Sequence, residues 1–481
     1  MKIYDSQDNI LKEFMPINEN EVRMYVCGLT PYERMHVGHV KTYIFFDVVY
    51  RYFKYLNFNV NYVQNITDVE DKIFKKALEL NVHPLDLSRN VMETVMKEFH
   101  QLNILKPTKI VTVSDNIDSI IELINKIQEN GYAYVSEGDV YFSVLKFKDY
   151  GTLSKQKIDE LKSGIRITVH EKKESPLDFA LWKASKENEV VYKSPWGVGR
   201  PGWHIECSAI SQKYLGETID IHGGGRDLIF PHHENEKAQS ESSTGKRFVN
   251  YWMHTGFLTI NGEKMSKSLN NFITAGELIE KYDPNVIRWY LLSRHYRSPI
   301  DFAFNFFDEV KIHLDRTTDS IETARVLIDN TEKTEISESI KIEVDEHVKL
   351  FHESMQNDFE TPTALVHINE IVKILNKTIQ SQENHGSLDY VVEKILELTE
   401  ILGIHIHFKS DDEYLKSLES ILKKYELPFH NLNEAVTNLL NKREELRKSK
   451  KYIESDEIRD YLKNAHIFVE DLKGKTIWRR G

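Results

Sequence analysis

Two strings in this chain carry residue types that could act on a nucleoside triphosphate, His36-Val37-Gly38-His39 and Lys264-Met265-Ser266-Lys267-Ser268. At the mouth of a helix, free N–H groups attract phosphate, Gly38 lets a nucleotide approach the backbone, and the imidazoles of His36 and His39 can donate to phosphoryl oxygens. Lys264 and Lys267, on a loop opened by Asn261-Gly262-Glu263, can neutralise charge that builds on a triphosphate in a transition state. Each string alone is a weak signal, because histidines also cap helices and a basic loop is usually solvated surface. Both occur here in this order, which chance produces far less often than either alone.

A second constellation points to a metal. His232 and Glu236 stand at i and i+4, a spacing that aims two side chains of a helix at one ion, and Cys27 and Cys207 can supply sulfur. Two thiolates, an imidazole and a carboxylate make a tetrahedral set that favours zinc over magnesium or calcium. His233 is i,i+3 from Glu236, so spacing does not choose between the histidines, and two inert buried thiols are the plain alternative. The run His222 to Asp227 adds three glycines, of which Gly224 permits close backbone approach to a flat adenosine, and Asp227 could accept hydrogen bonds from ribose hydroxyls.

These residues need elements to position them. Glu21 to Cys27 reads as a strand, Val37 to Leu56 as a helix and Asn59 to Ile66 as a second strand, a βαβ unit whose ligands bind beyond the carboxyl ends of the strands. Cys27 therefore falls at a ligand-facing edge. From Asn103 to Trp196 the pattern changes to an inserted subdomain, with a helix from Asn116 to Glu129 and a hairpin centred on Glu137-Gly138-Asp139. Ile219 to His222 restores the α/β pattern, and Pro231 suits the first turn of a following helix. The fold class expected is a Rossmann-like parallel-sheet domain, divided as 1–102 and 197–301 around an insert at 103–196. Mainly helical regions then follow at 302–410 and 411–481.

With 481 residues, 40% hydrophobic and 29% charged, the chain has the composition of a soluble multidomain protein, and no apolar run is long enough to span a bilayer. No signal peptide is evident, so cytoplasmic residence is expected. Two cysteines far apart argue against a disulfide framework. A formal net charge of −12 opposes nucleic-acid binding over the whole surface and leaves room for a local basic patch.

The two strings resemble the signature motifs of class I aminoacyl-tRNA synthetases. Met24-Tyr25-Val26-Cys27-Gly28, Asn65-Ile66-Thr67-Asp68, Arg200-Pro201-Gly202-Trp203-His204-Ile205-Glu206-Cys207-Ser208 and the stretch His222 to Glu236 resemble the cysteinyl-tRNA synthetase family within that class. The resemblance runs from the first strand to Gly474-Lys475-Thr476-Ile477-Trp478, and its motifs are most specific in the catalytic half. It implies ATP, cysteine and a cysteine tRNA as partners, Mg2+ with the ATP, no membrane, and a monomer. One zinc per chain is also implied, on Cys27, Cys207, His232 and Glu236, reading the substrate thiolate. In a pocket lined by Thr67 and Trp203, such an ion would separate cysteine from serine without an editing domain.

The resemblance also implies that the insert contacts the acceptor end and that residues 411–481 meet the anticodon. Ala435 to Gly481 holds twelve Lys/Arg against eight Asp/Glu, with Trp478-Arg479-Arg480 as a candidate stacking surface. Two rivals remain: a cysteine ligase that couples the adenylate to an amino sugar, and a zinc-stabilised nucleic-acid-binding protein without catalysis.

Overall fold

The computed structural model describes residues 1–158, 172–186, 189–260, 262–264, 272–329, 332–381, 385–406, 410–465, 467–472 and 475–480. The chain forms two compact units. One comprises Met1–Phe307 with His352–Ala364 and Ile401–Gly403, and the other Asp308–Phe351 with Leu365–Glu400 and Ile404–Gly481.

The first unit is built on a five-stranded sheet in the order Val249–Thr255, Ile219–Gly225, Glu21–Leu29, Asn59–Ile66, Lys109–Thr112, with every neighbouring pair parallel. Met24, Tyr25, Val26, Tyr62 and Val63 are all buried, as befits central strands covered on both faces. Helix Val37–Tyr55 crosses from the first strand to the second, burying Ile44, Phe45, Phe46, Val48, Val49 and Phe53. Glu21–Leu29 and Ile219–Gly225 are adjacent in the sheet but far apart in the chain. Their carboxyl ends form the crevice at which the strand order reverses.

Between Lys109–Thr112 and Ile219–Gly225 the chain forms a second, antiparallel sheet of Ala133–Ser136, Asp139–Phe142, Phe179–Ala184, Gly197–Pro201 and Tyr192–Ser194. Glu137 (φ 50°) and Gly138 (φ 84°) make the two-residue turn of its first hairpin, the left-handed pair that matches strand twist. Helix Trp203–Leu215 leads back into the parallel sheet, and helix Glu234–Thr244 crosses to its edge strand. A three-stranded sheet of Glu263–Lys264, Leu258–Ile260 and Ile300–Phe302 follows.

An ionic knot ties this unit together. Arg288 on helix Pro284–Leu292 is fully buried and meets Asp47 of the crossover helix at 2.5 Å, while donating to the carbonyls of Leu102 (3.1 Å) and Leu402 (3.0 Å). Arg51 shares the same carboxylate oxygen at 2.9 Å.

The second unit is mainly helical and includes most of Asn305–Asp329, Glu338–Gln356, Thr361–Gln380 and His385–Ile401. Helices Asp411–Lys424, Leu432–Lys448 and Tyr452–Asn464 enclose a core of Leu418, Leu422, Leu439, Ile458 and Leu462. The chain then departs from the helical pattern in a hairpin, Ile467–Leu472 with Lys475–Arg480, where Ile467-Phe468-Val469 and Thr476-Ile477-Trp478 supply β-branched and aromatic residues. Trp478 packs against that core. Within the charged stretch Lys442 to Lys451, Leu446 and Arg443 are buried, and Lys442 and Lys448 pair with Glu445 and Glu444. Among the described residues no helix is long and apolar enough to cross a membrane.

Candidate functional site

Cys27 owes its position to an irregularity. Val26 pairs with Gln64 and Leu29 with Ile66, so the first strand holds one extra residue at Cys27-Gly28, and such a bulge re-aims a side chain. Only glycine fits there, because a Cβ on Gly28 would lie 1.6 Å from the Asn65 carbonyl oxygen. The Gly28 N–H donates to Asn65 Oδ1 (2.8 Å), and Asn65 Nδ2 donates to Thr67 Oγ1 (3.0 Å). Thr67 is thereby held beside the bulge that presents Cys27.

The re-aimed thiol faces helix Trp203–Leu215 and the start of helix Glu234–Thr244. Cys27 Sγ lies 4.0 Å from Cys207 Sγ and 3.6 Å from Glu236 Oε1, and Glu236 Oε1 lies 2.9 Å from His232 Nε2. The ligand atoms of these four buried side chains are within 4.8 Å of one another. Two thiolates on one tetrahedral zinc stand about 3.8 Å apart, given Zn–S bonds of about 2.3 Å. The donor set therefore fits zinc in chemistry and in spacing. Cys27, His222, His233 and Glu236 satisfy the same 4.8 Å limit, so the two histidines that spacing left open both approach the cluster. Only the His232 set contains both thiols.

His232 and Glu236 lie on one helical run, as their spacing suggests, and that run opens in a widened turn. Phe230 is extended (φ −135°, ψ 132°), so the helical residues begin at Pro231 and pass through His232 and His233 into the regular helix at Glu234. The residue before a proline is driven out of the helical region, which interrupts the run at Phe230.

Further imidazoles surround the donors; spacing in the sequence raises His233 among them but not His204 or His254. His222 Nε2 meets Glu236 Oε2 at 2.8 Å, His204 Nδ1 meets His232 Nδ1 at 2.9 Å, and His254 Nε2 meets His233 Nδ1 at 2.7 Å. Burial pushes His204, His232, His233, His254, Glu236 and the two thiols toward their neutral forms, and neighbours decide the outcome. Against burial, the hydrogen bond from Cys27 and the His232 charge bring the Cys207 thiol down to about 6. His222 and His232 bring Glu236 down to about 2, and Glu236 with Cys207 raises His232 to about 10. Burial keeps Cys27 well above the usual thiol range and His233 well below the usual imidazole range. Trp203 lies with its ring 4.5 Å from that of His232. Gly224 makes room for these imidazoles, since a Cβ there would come within 2.9 Å of the His233 ring. Asp227 sits in the short turn Arg226–Leu228 just beyond that strand.

The other half of the site is the mouth of helix Val37–Tyr55. The rings of His36 and His39 stack with centroids 3.7 Å apart. The N–H groups expected to be open there are occupied. Val37 N donates to the Ile273 carbonyl (3.0 Å), and Gly38 N and His39 N donate to His36 Nδ1 (3.1 and 3.3 Å). The His36 ring serves as the N-cap, so these backbone N–H groups already have partners. Burial holds His39 well below the usual imidazole range. Ala275 N donates to the Met35 carbonyl (2.8 Å), so the segment after the lysine loop lies against this helix mouth. Lys264 pairs with Thr259 through its backbone, and Lys267 lies outside the described residues.

The parallel sheet, with the His36 helix mouth and the Cys27–Cys207 cluster at its carboxyl edge, is the core of a class I aminoacyl-tRNA synthetase catalytic domain. Solved structures share the fold: Mycobacterium tuberculosis methionyl-tRNA synthetase in complex with methionyl-adenylate (TM-score 0.57, 15% identity, 84% of this chain and 93% of that one). An Agrobacterium radiobacter LeuRS–tRNA–LeuAMS ternary complex also does (TM-score 0.61, 10% identity, 82% and 85%). The family model described as the class I (C) tRNA synthetase catalytic domain matches residues 13–312, a DALR domain matches 350–407, and a cysteinyl-tRNA ligase anticodon binding domain matches 430–479. The cysteine–tRNA ligase of Carboxydothermus hydrogenoformans is 44% identical over the full length of both chains. That of Thermococcus gammatolerans is 42% identical over 100% of this chain and 99% of its own. The chain belongs to the cysteine–tRNA ligase family and is an aminoacyl-tRNA ligase of class I.

Proposed function

We propose that the chain activates cysteine with ATP and transfers it to the 3′-terminal ribose of a cysteine tRNA, with Cys27, Cys207, His232 and Glu236 holding one zinc ion. The observation that carries this reading is the convergence of two thiols, an imidazole and a carboxylate within 4.8 Å, beside Trp203. Bound there, a borderline-soft cation offers a position that prefers thiolate to alcohol, the property that separates cysteine from serine.

Thr67 and Trp203 line the pocket for the amino acid. The carboxylate of cysteine attacks the α-phosphate of ATP in line and pyrophosphate leaves. His36 and His39 donate to the phosphates, Gly38 and Gly224 allow close approach of the nucleotide, and Asp227 accepts from its ribose. Lys264 and Lys267 neutralise the departing charge, and Mg2+ accompanies the ATP. A hydroxyl of the terminal tRNA ribose, the 2′-OH by class, then attacks the adenylate carbonyl. Residues 103–196 take the acceptor end and 411–481 the anticodon. The enzyme acts in this reading as a cytoplasmic monomer.

Cysteine-dependent ATP/pyrophosphate exchange, with serine as control and zinc measured on the same preparation, tests the proposal. Expected are exchange with cysteine alone and about one zinc per chain. Full cysteine activation by zinc-free protein would overturn the zinc assignment. Exchange without charging of cysteine tRNA would move the reading to the amino-sugar ligase.

A further inference from the structure

Lys41 is 3% exposed, and no carboxylate pairs with it among the described residues. Its Nζ donates instead to two backbone carbonyls, Gly256 at 2.7 Å and Ser298 at 2.9 Å. Burying an ammonium against carbonyls alone is costly, and burial brings its pKa down to about 8. A buried aliphatic side chain would have avoided that cost, so the position asks for an explanation beyond packing.

The two carbonyls mark where the chain runs into the three-stranded sheet that carries Lys264. Gly256 ends the passage out of strand Val249–Thr255 and precedes Leu258–Ile260, and Ser298 precedes Ile300–Phe302. Gly256 N donates to Tyr296 O (2.7 Å), and a Cβ on Gly256 would lie 2.5 Å from the carbonyl oxygens of Arg297 and Ser298. These two lead-in segments are thus packed backbone to backbone, with no room to slide. Lys41 sits two residues after His39 on the crossover helix, and the adjacent Thr42 adds a second tie, Oγ1 to Thr255 Oγ1 at 2.8 Å. Leu258 pairs with Ile300 and Thr259 with Lys264, so the position of the lead-in segments is transmitted to Lys264 by hydrogen-bonded backbone.

We propose that Lys41 is a positioning residue for adenylate formation. By clamping the Gly256 and Ser298 carbonyls, it sets the register between the helix that carries His36 and His39 and the sheet that carries Lys264. This rests on the reading that those side chains act on the triphosphate. A long side chain with several donors is needed because one group must reach two carbonyls on separate segments. Arginine satisfies that requirement and an apolar side chain of similar length does not.

Single-turnover adenylate formation in full-length Lys41→Met, Lys41→Arg and Thr42→Val tests the proposal, alongside zinc content and cysteine affinity. Lys41→Met should slow the step about 10- to 100-fold, the cost of misplacing reacting groups by about 1 Å, with cysteine affinity and zinc content within about twofold of wild type. Lys41→Arg should recover the rate to within about threefold. Should Lys41→Met fail to fold, Thr42→Val carries the test through the second tie, with a smaller loss of the same rate and unchanged cysteine affinity. Lower thermal stability with an unchanged single-turnover rate in the tested variants would overturn the positioning role. Separately, an unchanged rate in both Lys264→Ala and Lys267→Ala would overturn the assignment of the lysines themselves, which distinguishes failure of the underlying reading from failure of this one.

Discussion

His222 Nε2 meets Glu236 Oε2 at 2.8 Å while His232 Nε2 holds the other oxygen at 2.9 Å, so the carboxylate of Glu236 is gripped from both sides. All three side chains are buried. A ligand oriented by an outer partner binds its metal more tightly, and loss of such a partner costs about 10- to 100-fold in affinity. His222→Leu should therefore lose zinc to a competing chelator at 10- to 100-fold lower chelator concentration, roughly. Unchanged zinc retention would mean that Glu236 needs no outer support.

Cys207→Ser removes a thiolate from the centre of the cluster and leaves the mouth of helix Val37–Tyr55 untouched. Zinc measured after dialysis should fall to well below one per chain, and cysteine activation should fall with it, whereas ATP affinity should change little. Zinc stripped from wild type by a strong chelator should give the same pattern and be reversed by added zinc. A variant that keeps its zinc would return the site to the alternative histidine set.

Gly28→Ala drives a Cβ to 1.6 Å from the Asn65 carbonyl oxygen, backbone against backbone. The bulge that aims Cys27 cannot absorb this without moving. Zinc content and cysteine affinity should both drop, together with a lower melting temperature. A variant with wild-type zinc and activity would show that the bulge does not place Cys27.

Arg288→Met leaves Asp47 buried with one of its two arginines gone and the Leu102 and Leu402 carbonyls without their guanidinium donor, while the Asn103 carbonyl keeps Arg51. Breaking a buried pair in this way costs about 3–5 kcal/mol. Urea unfolding followed by a probe in the first unit should show a loss of that size. A loss below about 1 kcal/mol would place the knot among surface-like ion pairs.

Lys41 titrates at about 8 when folded, against an ordinary 10.5. The folded value is the lower one, so between these values the unfolded chain binds more protons and stability rises with pH. Below about pH 8 both states are protonated and the contribution is flat. Relative to Lys41→Met, wild type should gain up to about 3 kcal/mol between pH 8 and 10.5. A pH-independent difference between the two would show that the ammonium is not buried at a cost.

Much of the architecture is legible in the order of residues alone. The strand Asn59–Ile66 and the hairpin at Glu137-Gly138 follow from apolar runs and turn chemistry, which are local properties of the backbone. Residue types alone also bring out the two strings and the candidate donors. What the sequence leaves open is set by packing between distant segments. Whether His232 or His233 joins the thiols depends on how the chain turns at Phe230, and a histidine pair offers the same spacing whichever ring faces inward. The N–H groups at His36 are occupied because a side chain folds back onto them and Ile273 arrives from far along the sequence. Lys41 looks in sequence like any surface lysine of a helix. Only the tertiary structure closes Gly256 and Ser298 over its ammonium, because burial and hydrogen-bond partners are decided by the elements that pack together, and periodicity along one element does not reveal them.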